Sequence, residues 1–137
     1  MKKLLIILFI ILIPLAATAQ LQGSKYNIFI DAFNEPIEII YFVFYNGDVH
    51  RFTTHDENEV AISVPVMVDT IKRDGNKISN VAIIIHNHWA RPYFSDSDKR
   101  TYTYLKGKGF KGRFLLYVLP QRIIREWDGK TTKTIKE

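Results

Sequence analysis

The chain contains no cysteine. That absence excludes a disulfide framework, a thiolate nucleophile and every zinc site built on sulfur. It also excludes lipid anchoring at an amino-terminal lipobox. Any metal site must therefore be made from His, Asp and Glu. A strong excess of one charge is missing too: 19 basic residues face 14 acidic ones, a formal net charge of +5. Such a balance does not argue for nucleic acid as a partner. Lys106, Lys108, Lys111 and Arg113 do cluster around glycines, but a short charge run of this kind reads as a solvated loop. No internal repeat and no low-complexity stretch follows the first residues.

The amino terminus has a composition of its own. Met1-Lys2-Lys3 is basic, residues 4–15 are almost unbroken Leu, Ile and Phe, and Ala17-Thr18-Ala19 supplies small residues before Gln20. Basic start, short apolar core and an A-x-A site make a secretory signal. The apolar run is short for a bilayer span, which needs about 20 residues. The expectation is a signal peptide over residues 1–19 and one domain over residues 20–137, exported to the periplasm or beyond the cell. No stable membrane span is expected after cleavage, and cleavage removes Lys2 and Lys3 from the charge balance. Oligomeric state is not legible.

The rest reads as one α/β domain. Residues 21–33 fit either a short helix or a first strand. Residues 38–45, EIIYFVFY, are β-branched and aromatic, hence a buried strand. Asn46-Gly47-Asp48 is a hairpin turn signal, and residues 49–54 return as the next strand. Residues 59–64, EVAISV, alternate as a strand does. Pro65 suits a helix start, with Val66, Met67, Thr70 and Ile71 along one face and Asp74-Gly75-Asn76 as its end. Residues 81–85, VAIII, form a short apolar strand buried on both faces. Ser95 is a good N-cap for a helix reaching about Lys106, stopped by Gly107 and Gly109. Residues 113–119 form another buried strand, and residues 122–135 a closing hairpin around Asp128-Gly129.

Chemistry concentrates where the VAIII strand ends. His86-Asn87-His88 follows it directly, and Ser95-Asp96-Ser97-Asp98 opens the next helix. In an extended segment, residues two apart point to the same side, so His86 and His88 converge. Asp98 can fold back as a third ligand. Two His and one carboxylate with an open fourth position is a catalytic zinc arrangement. Glu38, a carboxylate opening an apolar strand, is the candidate general base. Ser95 is placed to donate to an oxyanion, besides capping the helix. His50 and His55 read as surface residues. Trp89, Tyr93 and Phe94 either line a groove or pack their loop onto the sheet.

The run VAIIIHNHWARPYFSDSD, residues 81–98, resembles the JAMM metalloprotease signature of the JAB/MPN fold: an upstream Glu, H-x-H, a short loop, then S-x-x-D. VAIIIHNH is most similar to RadC-type members. Pro36-Ile37-Glu38 stands where the family places its glutamate, and residues 113–135 resemble the end of the fold. The resemblance implies a mixed central sheet flanked by helices. It implies Zn²⁺ on His86, His88 and Asp98, with Glu38 as base and Ser95 as oxyanion helper. It implies hydrolysis of a peptide or isopeptide bond in a peptide or protein substrate. Trp89 replaces the usual proline, and the loop between His88 and Ser95 is one residue shorter than the family pattern. Glu35 and Glu59 are alternative bases. A non-catalytic JAB-like binding domain is the other reading the sequence leaves open.

Overall fold

In the computed structural model, residues 33–135 are described. The expected signal peptide, and all of the ambiguous segment 21–33 except Phe33, lie outside them. The described residues form a six-stranded mixed sheet and two α-helices. In chain order these are β1 (Ile40–Phe44), β2 (Val49–Phe52), α1 (Val64–Arg73), β3 (Val81–His88), α2 (Asp96–Gly107), β4 (Arg113–Val118), β5 (Ile123–Trp127) and β6 (Thr132–Ile135). The spatial order is β2-β1-β3-β4-β5-β6. β3 and β4 are parallel, and the other neighbours are antiparallel. A parallel pair needs a long crossover, and α2 supplies it.

The hairpin β1-β2 turns at Asn46-Gly47-Asp48, where Gly47 takes φ 97°, a conformation open to glycine at little cost. Pro65 sits in the first turn of α1, and Lys72 and Arg73 close it, matching the helix dipole. The buried face of α1 is Met67, Val68 and Ile71. Val66, expected on that face, is 50% exposed; Val68 takes the inward place.

Residues 59–64 are not a strand. Their alternation is nonetheless real: Val60, Ile62 and Val64 pack against the core, and Glu59, Ala61 and Ser63 are exposed. What is missing is a ladder. The segment is tied through the Thr54 hydroxyl, which accepts from the Ala61 N–H at 3.0 Å and donates to the Glu59 carbonyl at 3.4 Å. Periodicity reports which side faces the core, not whether a partner strand exists.

β3 is the central element, and all eight of its residues are buried. Val43 pairs with Ile83 but Phe44 pairs with Val81, so Ala82 is an extra residue in the ladder, a β-bulge. The bulge resets the alternation. Val81 and Ile84 join the core under the helices, whereas Ala82, Ile83 and Ile85 join the core on the other face. From Ile84 onward the helix side therefore receives Ile84, His86 and His88. Each fully buried isoleucine contributes on the order of 2 kcal/mol, so the strand that carries the histidines is among the least free to move.

Candidate metal centre

His86 and His88 project from the last turn-free residues of β3 toward the amino terminus of α2. Their ring centroids are 5.0 Å apart. Asp98 reaches them from α2, with His86 Nε2 3.2 Å from Oδ1 and His88 Nε2 3.4 Å from Oδ2. Glu38 completes the group from the residues just before β1. Ligand-type atoms of Glu38, His86, His88 and Asp98 all lie within 4.8 Å of one another. Ile40 pairs with His86, and Glu38, two residues before Ile40 in extended chain, faces the same side.

The helix start fixes Asp98. Ser95 is the N-cap of α2: its hydroxyl accepts from the Asp98 N–H at 3.1 Å, and its own N–H donates to Asp98 Oδ2 at 2.7 Å. This reciprocal capping box holds the carboxylate rotamer that faces the histidines. The Ser95 hydroxyl is an acceptor in this bond, so its hydrogen remains available to the cleft it lines. Capping and site chemistry are thus compatible in one residue.

The donor set fits a cation. His88 Nδ1 lies 3.2 Å from the Arg91 carbonyl; a carbonyl only accepts, so Nδ1 carries the proton. Nε2 then faces Asp98: protonated, it donates to that carboxylate, and unprotonated, it offers its lone pair to a positive ion between them. An outer hydrogen bond of this sort is typical of metal-binding histidine. His86 is 2% exposed, and neither ring nitrogen has an aligned hydrogen bond among the described residues. Nδ1 is a buried polar atom without a partner and Nε2 meets only Asp98, and such atoms call for a ligand. Tetrahedral donors about 2.05 Å from zinc stand about 3.3 Å from each other, close to the two His–Asp distances. The buried cluster could therefore hold a metal ion.

Electrostatics separate the two carboxyls. Burial pushes Glu38 up to about 7; the charge of Asp98 adds to this, and His88 and Arg91 oppose it. Burial also pushes Asp98 up, but attraction to His86, contacts from both histidines and the Ser95 N–H outweigh it, holding that carboxyl well below the ordinary carboxylate range. Two acids in one site with opposite tendencies are the pattern of distinct roles.

A cleft of about 430 Å³ opens over the cluster. Its polar rim includes Arg91, Ser95 and Thr101, and its floor includes Ile40, Met67 and Phe114. Glu35 is exposed outside this cleft, and Glu59 lies on its rim without joining the four-residue cluster. His50 meets Asp74 at 3.5 Å, far along the hairpin, and His55 is exposed. The three loop aromatics do not line the cleft. Phe94 is buried against His86, Phe114 and Trp127, Trp89 packs on the opposite sheet face, and Tyr93 is 55% exposed. Arg91 and Asn87 were not singled out as site residues by the sequence. Arg91 acts through its backbone carbonyl, which no side-chain pattern announces.

No protein-family model, no curated protein and no solved structure matches the chain.

Proposed function

We propose that the protein is an exported, zinc-dependent hydrolase of peptide or isopeptide bonds, built on a JAB/MPN-like domain. The observation that carries this reading is the closed set of Glu38, His86, His88 and Asp98 at the floor of an open cleft. The resemblance of residues 81–98 to the JAMM signature supports it. Export rests on the signal-like residues 1–19. Among the described residues no helix is long and apolar enough to cross a membrane.

His86, His88 and Asp98 would hold the ion. Zinc held there would supply Lewis acidity and activate water for attack near neutral pH. Glu38 would accept a proton from the attacking water and return it to the departing amine. The free hydrogen of the Ser95 hydroxyl donates to the oxygen of the substrate carbonyl as charge builds there. Asp98 would stay ionised throughout as a ligand, its carboxylate also accepting from the capping Ser95 N–H.

The test is metal content by mass spectrometry on protein purified without a His tag, beside a His86→Ala/His88→Ala control. About one zinc per chain, absent from the control, is expected. Glu38→Gln should retain zinc and lose about 10²–10⁴-fold in turnover on a peptide and isopeptide panel. Protein that takes up no zinc even when the ion is added back is not a zinc hydrolase, and zinc without turnover would leave a JAB-like binding domain.

A further inference from the structure

Asn87 lies between the two histidines, yet it belongs to the other face of the sheet and is 0% exposed. Its carboxamide spans the flank of Glu38. Oδ1 accepts from the Ile39 N–H at 2.7 Å, and Nδ2 donates to the Ile37 carbonyl at 2.9 Å. The regular β1–β3 ladder reaches Ile40 opposite His86 and goes no further. Asn87 takes over there with a side chain in place of backbone. On the opposite edge, the Glu38 N–H donates to the Asp56 carbonyl at 2.7 Å, and the Glu38 carbonyl accepts from the Thr53 hydroxyl at 2.8 Å. The backbone of residues 37–39 is thus gripped from both sides. Ile37 and Ile39 are buried on the far face, which leaves Glu38 turned toward the histidines.

We propose that Asn87 is a positioning residue: its carboxamide clamps the chain on either side of Glu38 and so sets the Glu38 carboxylate in register with the two imidazoles. Three consecutive residues of β3 then divide the labour, two holding the ion and the middle one placing the base. Because one strand carries all three, base and ligands keep their separation when the sheet flexes. The inference rests on the reading of Glu38 as the base. It goes beyond that reading in assigning the clamp to a residue that touches neither the ion nor the substrate. A backbone shift of about 1 Å at such a site costs on the order of 100-fold in rate.

The experiment is a double-mutant cycle between Asn87→Ala and Glu38→Gln, read with a quenched-fluorescence peptide or isopeptide substrate. Asn87→Ala should keep its zinc, since His86, His88 and Asp98 are untouched, and keep KM, while kcat falls about 100-fold. Combined with Glu38→Gln it should add almost nothing, because a clamp with no base to place is idle. Losses that multiply in the double variant, or loss of zinc together with activity in Asn87→Ala, would overturn the proposal. Activity that survives Glu38→Gln would instead overturn the reading of the base beneath it. A second measurement needs no variant and no substrate. In the unaltered protein the Ile39 amide should exchange with solvent as slowly as amides inside β1 and β3. Exchange at the rate of an open loop would show that no clamp exists, even if Asn87→Ala fails to fold.

Discussion

Burial keeps the Glu38 carboxyl protonated over a wider pH range than in the unfolded chain. Its ordinary pKa of 4.5 rises to about 7 in the folded chain, chiefly through burial. Between those values the folded protein keeps a proton that the unfolded chain has released. Its contribution to stability is therefore full below about pH 4.5 and is lost as pH rises through about 7. Asp98 works in the opposite direction: its depressed pKa contributes stability at neutral pH that is lost as pH falls below the ordinary 3.8. For metal-free protein, Glu38→Gln should be the more stable form at pH 8, by roughly 3 kcal/mol. The two should converge near pH 4.5. Urea denaturation in the presence of a chelator at both pH values measures this. Equal stability at pH 8 would mean that the carboxylate is better solvated than its 8% exposure implies.

At the scale of elements, the bulge in β3 decides which face receives the histidines, and Gly112 guards it. A Cβ on Gly112 would stand 2.3 Å from the Ala82 carbonyl oxygen and 2.5 Å from that of Val81. Those atoms are backbone and have no rotamer to yield. Gly112→Ala should destabilise the protein by on the order of 3 kcal/mol, seen as a lower midpoint in thermal or urea unfolding. It should also weaken metal binding, because the step in register at Ala82 is what points His86 and His88 to the helix side. Ser95→Ala removes the hydroxyl that accepts from the Asp98 N–H, a loss of about 1 kcal/mol, but keeps the backbone N–H that holds the Asp98 carboxylate. Its metal affinity in a chelator-competition titration should therefore change little while its stability falls. The sequence showed much at this scale. VAIII announced β3, Ser95 and Asp98 announced the start of α2, and Asn46-Gly47-Asp48 announced the first hairpin. It could not show that residues 59–64 lack a partner strand, since burial alternates there as it does in a ladder. Nor could it show the clamp by Asn87, whose partners lie 48 and 50 residues away in the chain.

For the molecule as a whole, the cluster ties the β1–β3 part of the sheet to α2. Glu38 comes from before β1, the histidines from the end of β3, and Asp98 from α2. An ion at their centre links the sheet to the helix above it, and the unfolded chain offers no equivalent arrangement. Binding energy for the ion is then folding energy. Zinc at 100 times its dissociation constant should add about 2.7 kcal/mol to stability. In a domain of this size that corresponds to a rise in Tm of roughly 10 °C or more. A chelator should reverse the rise, and His86→Ala/His88→Ala should abolish it. Magnesium and calcium, which seek oxygen donors, should leave Tm almost unchanged, because half of this donor set is imidazole. A thermal shift of equal size with all three ions would point to carboxylates alone as the binding groups and would remove the histidines from the centre. Under the proposed function, selectivity for zinc over the alkaline-earth ions should therefore be lost with the histidine pair.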